Sequence, residues 1–255
     1  MGVSVVEQTP RRGVIWSGKT SARLRPWVDD PTCAFLLITS ADGADLRLPE
    51  PDIIEQWLAT AQRWGYSRVR TSALTPSLAA PLLSLGFQEV QQLALLSAAH
   101  LDRPRFNIPK DVAPRALRTQ WRGRNVAALN DIIAIDGLSF PAPWHLDGDS
   151  LREAMSATRT SRLFVSRQGK SVDGFVLVGA TDSTGYIQRL AVHPHARRSG
   201  TASRLVAAAL QWSHRKGCST TVVNTETTNV AALGLYESLG FMTMETGLVV
   251  VECDL

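Results

Sequence analysis

The tetrapeptide Ser-Leu-Gly-Phe occurs twice, at Ser84–Phe87 and at Ser238–Phe241, and its surroundings repeat with it. Running into the first copy, Leu78, Leu82 and Leu85 stand four and three residues apart, and running into the second so do Ala232, Tyr236 and Leu239. That spacing predicts an amphipathic helix before each copy. A β-like run precedes each helix, SRVRTSA and STTVVNT, and a longer helical segment ending near Gly65 or Gly217 precedes that. An extended run follows each, QEVQQLALLSA and MTMETGLVVVE. A unit of helix, strand, helix, Gly-Phe and strand, present twice in 255 residues, predicts two tandem domains of mixed α/β (α+β) class.

The break between them is expected where RPRFNIPKDVAPRA places three prolines among mixed charges, which prevents a regular element. The boundary then lies near residue 112, giving domains 1–112 and 113–255, the first shorter and less complete. In the second, a short strand near Arg115 is followed by helices over Asn125 to Gly137 and Ser150 to Ala157. RLFVSRQ, FVLVGAT and YIQRLAV, separated by the turns QGKS and DSTG, predict an antiparallel meander. A long helix from Gly200 to Lys216 follows, with Leu205, Ala209 and Trp212 on one face.

Composition narrows the class of function. With 44% hydrophobic and 20% charged residues the chain is globular, which excludes disordered and collagen-like classes. No apolar run approaches the roughly 20 residues that span a bilayer, and the N-terminal segment lacks the charged-then-apolar order of a signal peptide. A cytoplasmic location and no membrane partner are the expectation. The net charge of +4 is shared between the halves, so no nucleic-acid-binding arm stands out. The run holding Arg115, Arg118, Arg122 and Arg124 reads as a solvated face, and no nucleic-acid partner is expected. The three cysteines, Cys33, Cys218 and Cys253, show no C-x-x-C pairing or His cluster, so neither a disulfide frame nor a metal site is indicated.

The chemistry concentrates in YIQRLAVHPHARRSGTASRLVAAALQW, where a strand passes through a glycine-containing turn directly into a helix. Unpaired N–H groups at the helix start and the helix dipole favour an anion there. Gly200 and the small Ala202 admit close backbone approach, and Arg197 and Arg198 add positive charge. This is not a P-loop, because no G-K-[ST] follows. Downstream, VVNTETTNVAALGLYESLGF carries Asn229 and Tyr236 seven positions apart.

The two segments together resemble the GNAT N-acetyltransferase superfamily over residues 115 to 255. Its acetyl-CoA loop Q/R-x-x-G-x-G/A is matched by Arg197-Arg198-Ser199-Gly200-Thr201-Ala202, and its N-x-x-A-x-x-x-Y pattern by Asn229, Ala232 and Tyr236. Within it, LYESLGF and FPAPWHLD are most similar to the ribosomal-protein N-terminal alanine acetyltransferases, which makes Phe140, Pro143 and Trp144 candidates for the acceptor-site wall. The resemblance implies acetyl-CoA as cofactor and CoA as product. It places the pyrophosphate on the amides from Arg198 to Ala202, the pantetheine along Leu190, Ala191 and Val192 with an oxyanion-polarising N–H in that strand, and Tyr236 at the leaving sulfur. A tyrosine reference pKa of about 10 against about 8.5 for a thiol favours hydrogen-bond donation to the developing thiolate over full proton transfer.

The chain departs from that family where a base is expected. A glutamate twelve residues before the tyrosine is replaced by Asn224, and a second frequent carboxylate position, in the strand before the loop, is Gln188. An amide cannot take a proton at neutral pH. Glu226, two residues beyond Asn224, shares its face if the strand extends that far. Water relayed through Asn224 and Gln188, or an acceptor α-amine titrating near 7.7 to 8, also removes the need for a strong base. Aligning the repeats puts Leu82 where Tyr236 stands and Thr75 where Asn229 stands, and no cofactor-loop pattern precedes residue 110, so the first domain is expected to be non-catalytic. The implied function is acetyl transfer to a primary amine, with a protein N-terminal α-amine as the candidate acceptor. Two alternatives stay open, a small-molecule amine acetyltransferase of mycothiol-synthase type and a non-catalytic acyl-CoA-binding regulatory module.

Overall fold

The computed structural model describes residues 11–18, 20–40, 46–100, 113–117, 125–142, 144–169 and 171–255. Its elements are mixed α/β, with six helices among the described residues and mostly antiparallel strand pairing. They divide into two compact units, Met1–Leu93 with Thr246–Leu255, and Ala94–Glu245.

In the first unit, β1 (Gly13–Ser17), β2 (Thr20–Trp27) and β3 (Asp30–Ser40) form an antiparallel meander. α1 (Pro51–Arg63) starts on a proline, whose fixed φ suits the first helical position, and carries Asp52 in its first turn and Arg63 in its last, both favourable to the helix dipole. It leads to β4 (Arg68–Thr71), parallel to β3. α2 (Pro76–Ser84) and the start of β5 (Gln88–Ala99) follow. The core gathers Leu24, Leu36, Ile54, Trp57, Val69 and Leu82, and each such side chain removed from water contributes about 1.5–3 kcal/mol.

The second unit repeats this order after the short strand β6 (Arg115–Leu117) and two added helices, α3 (Asn125–Ser139) and α4 (Gly148–Ser156). Asp147 caps α4 by accepting from the Ser150 N–H at 2.7 Å. β7 (Thr160–Gln168), β8 (Ser171–Thr181) and β9 (Thr184–Val192) form the second meander, antiparallel as the sequence predicts. α5 (Thr201–Arg215) buries Leu205, Ala209 and Trp212, the predicted stripe, and leads to β10 (Thr220–Glu226), parallel to β9. α6 (Val230–Ser238) and the two-residue strand β11 (Met242–Thr243), paired with Leu96 and Ser97 of β5, complete the unit.

The last strand, β12 (Leu248–Asp254), belongs to the first unit, where it pairs antiparallel with β4 on one side and with Gln88–Leu93 of β5 on the other. Its apolar residues Val249 and Val251 enter that core, Glu252 accepts from Arg70 Nε at 2.6 Å, and the fully buried Thr71 hydroxyl takes the Val251 N–H. Contacts therefore divide the chain at Leu93 and again at Glu245, whereas the proline-rich boundary expected near residue 112 lies in 101–112, outside the described residues. The first unit also holds a full meander that the expectation of an incomplete copy overlooked.

In the second unit His100 donates its backbone N–H to Ser219 at 2.8 Å, and its Nε2 lies 2.7 Å from the Thr221 hydroxyl. Burial first, and the His214 ring 5.9 Å away second, lower its pKa below the ordinary 6.5. The unfolded chain thus binds a proton more readily than the folded one, so stability is full above about 6.5 and falls as the pH drops toward the folded value. Urea midpoints between pH 7.5 and 5.5 are expected to fall less in His100→Gln than in the native chain; an equal fall in both assigns the loss elsewhere.

Candidate active site

The strand β9 changes its pattern at its central residue. Leu177 of β8 faces Arg189, but Val178 faces Ile187, so Gln188 is an extra residue, a β-bulge. Its amide oxygen Oε1 is buried without a hydrogen-bond partner. On the other side, the parallel ladder with β10 runs from Thr184↔Thr220 to Ile187↔Val223 and ends there, although β9 continues to Val192 and β10 to Glu226. The two strands therefore part at the bulge, and Leu190, Ala191 and Val192 line one side of an open seam with Asn224 on the other.

At the end of β9 a single 3₁₀ turn, Pro194–Ala196, leads to Arg198 and Gly200, which adopt φ of +62° and +77°. Glycine tolerates this left-handed region freely, whereas at Arg198 it costs about 1–2 kcal/mol, a strain held by the surrounding bonds. The Ser199 hydroxyl lies 2.7 Å from the Ala196 carbonyl and 2.9 Å from the Thr201 hydroxyl, and Arg204 reaches back to Ser199 O at 3.0 Å and Thr201 Oγ1 at 2.9 Å. No side chain caps α5. Its first-turn N–H groups have no partner inside the helix, and with Arg197 and Arg198 exposed beside them they form an anion cradle over Arg198–Ala202. A cavity of about 510 Å³ borders the same turn, lined by Ser199, Thr201 and Arg204 with Arg115, Arg167 and Asp173.

Tyr236 sits on α6, whose start is fixed by Asn229: its side-chain oxygen accepts from the Ala232 N–H at 3.1 Å. That bond gives the Asn229 and Ala232 spacing a structural reason, and it seats the tyrosine two turns along. Tyr236 is 4% exposed, packs with its ring centroid 5.4 Å from that of Phe241, and belongs to the core that holds Leu96, Leu205 and Ala209. Burial pushes its phenol far above the ordinary value, so the hydroxyl is protonated at neutral pH and acts as a hydrogen-bond donor.

β10 does extend through Glu226, so Asn224 and Glu226 share a face by strand alternation, and both are exposed. The Glu226 carbonyl accepts from the Asn229 N–H at 3.0 Å, which anchors the strand end to the helix start. Of the predicted acceptor wall, Phe140 and Trp144 are half-buried in the turn after α3, and Pro143 lies outside the described residues, as do Arg118, Arg122 and Arg124. What the sequence reading missed is the pair that holds this turn. Asp136 of α3, fully buried, accepts from Arg189 Nε at 2.7 Å and Nη2 at 2.8 Å. No pattern in the sequence signals it, because 53 residues separate the two.

The family model described as Acetyltransferase (GNAT) family matches residues 129–241. N-alpha-acetyltransferase 30 from Saccharomyces cerevisiae is 43% identical over 61 residues, 24% of this chain and 35% of that protein. Its counterpart from Homo sapiens is 45% identical over 58 residues, 23% of this chain and 16% of the relative. The matched segments thus span about a third or less of these relatives. Among solved structures, a tandem GNAT protein from the clavulanic acid biosynthesis pathway superposes with a TM-score of 0.65 at 14% identity, over 94% of this chain and 81% of the other. A GCN5-related N-acetyltransferase from Sphaerobacter thermophilus gives 0.60 at 14% identity, over 92% and 76%. At that identity the likeness is one of fold.

Proposed function

We propose that this chain, which belongs to the GNAT acetyltransferase family through residues 129–241, transfers acetyl from acetyl-CoA to a protein N-terminal α-amine at the seam between β9 and β10. The observation that carries the reading is the conjunction at that seam. The ladder ends where the bulge begins, the anion cradle lies at the end of the same strand, and α6 brings Tyr236 after β10. The partial identity to N-alpha-acetyltransferases supports the α-amine as acceptor.

The residues fit acetyl-CoA on their own geometry. The left-handed Gly200 and the uncapped start of α5 suit a pyrophosphate, and the unpaired backbone edge of Leu190–Val192 suits the amides of a pantetheine arm. The cofactor supplies the acetyl group as a thioester. A main-chain N–H of β9 beyond the bulge polarises the acyl oxygen, and the protonated phenol of Tyr236 donates to the departing thiolate. On the acceptor side, the unpartnered Gln188 Oε1 accepts an N–H of the incoming amine, and Asn224 orients it. Glu226 takes the amine's proton on the face it shares with Asn224.

Glu226→Gln is accordingly expected to move the acidic limb of the kcat/KM profile up to the acceptor's own titration, about 7.7 to 8 for an α-amine. A profile that does not change assigns proton removal to solvent.

The first unit is the non-catalytic copy in this reading. Where the second unit opens α5 with Gly200-Thr201-Ala202, the first opens α1 with Glu50-Pro51-Asp52, two carboxylates that repel an anion and an imino acid with no N–H to donate. Leu82, fully buried, occupies the Tyr236 position.

The test is a panel of acceptors with thiol release as the readout: peptides with a free α-amine, the same peptides N-blocked but bearing lysine, and small primary amines. Turnover only with the free α-amine is expected. Preference for small amines or for lysine overturns the acceptor assigned here.

A further inference from the structure

We infer that the Asp136–Arg189 pair is a positioning device for the acceptor, clamping the turn that carries Phe140 and Trp144 onto the strand that carries the bulge. The inference rests on the function proposed above. Its basis is the direction of the hydrogen bonds. Arg189 donates twice to Asp136, and its Nη2 also donates to the Trp144 carbonyl at 2.6 Å. Asp136 Oδ1 in turn accepts the Leu146 N–H at 2.7 Å, and the Phe140 N–H donates to the Asp136 carbonyl at 2.9 Å. The guanidinium carbon stacks 3.4 Å from the Phe140 ring centroid. The paired side chains thus hold the turn at two main-chain points, the Trp144 carbonyl and the Leu146 N–H, and on the Phe140 ring.

The bulge makes the clamp possible. Ile187 faces the core beneath α5, and in a regular strand residue 189 would share that face. The extra residue Gln188 turns Arg189 to the opposite side, where α3 presents Asp136. One irregularity therefore sets the buried, unpartnered Gln188 amide oxygen next to the arginine that holds the aromatic turn. A fully buried carboxylate paired to an arginine is weak evidence for stability, since apolar residues of like volume often serve a core as well or better. A planar, bidentate fork that also binds a carbonyl and stacks on a ring fits a requirement for geometry.

The decisive variant is Arg189→Lys, which keeps the charge and loses the fork and the stack. Kinetics on the native chain with acetyl-CoA and the best free-α-amine peptide of the panel come first; no transfer by the native chain refutes the function itself and with it this inference. With the native chain active, Arg189→Lys is expected to raise the peptide KM on the order of 10-fold, with the acetyl-CoA dissociation constant from calorimetry within about twofold. An unchanged peptide KM, or equal weakening toward peptide and acetyl-CoA, overturns the clamp while leaving the function standing. If Arg189→Lys does not fold, Asp136→Asn weakens the fork while leaving Phe140 and Trp144 unaltered, and the same split between peptide KM and cofactor affinity decides.

Discussion

Tyr236→Phe is expected to lower kcat on the order of 100-fold while leaving acetyl-CoA affinity nearly intact, the cost of losing one hydrogen-bond donor to an anion that develops only during the reaction. The structure strengthens the expectation in two ways. The side chain is 4% exposed and packed against Phe241, so phenylalanine fills the same space and removes only the hydroxyl. Burial also raises the phenol pKa far above neutrality, so the group is a donor throughout the working pH range and its loss is not masked by titration. Rapid-quench rates and cofactor calorimetry on the same preparation separate the two quantities. Native rates in the variant remove the leaving-group role and favour a non-catalytic acyl-CoA-binding module.

Gly200→Val acts at the other end of the seam. At φ +77° a β-branched residue is strained whatever space surrounds it, and its Cβ would stand 3.2 Å from Arg204 Nη1, the flexible end of a side chain that can yield. The consequence is therefore a reshaped backbone at the start of α5 more than a local clash. Calorimetry on the native chain is expected to show one acetyl-CoA per chain, and on the variant an affinity lower on the order of 100-fold, as expected when the cradle's amides no longer converge. A folded Gly200→Val protein with native affinity refutes the cradle. A second site of comparable strength in the native chain refutes the silence of the first unit, whose α1 starts on Glu50 and Pro51.

Elements whose signal is local were legible in the sequence. α5 announces itself by Gly200 and a stripe at Leu205, Ala209 and Trp212, and all three are buried. α2 and α6 were found by their shared spacing, and the second meander by its turns. The meander β1 to β3 was not legible, because its first strand, GVIWS, sets Val14, Ile15 and Trp16 in a row without the alternation that marks a half-buried strand.

What could not be read is what tertiary structure decides. LVVVECD reads as a buried strand, yet nothing in it says that its neighbours are Arg68–Arg70 and the first half of β5. Arg189 reads as a residue on the Ile187 face, because period-two alternation carries no mark of a bulge. Asp136 reads as a polar interruption in an apolar helix until its partner across the fold is known.

The most direct measurement gives the full chain acetyl-CoA labelled in the acetyl group, together with the preferred peptide, and follows the label by mass spectrometry alongside thiol release. The account predicts label on the peptide's α-nitrogen, one acetyl for each CoA thiol released, and none when that amine is blocked. Acetyl-CoA that binds but keeps its label, or thiol release at the same rate with and without peptide, contradicts it.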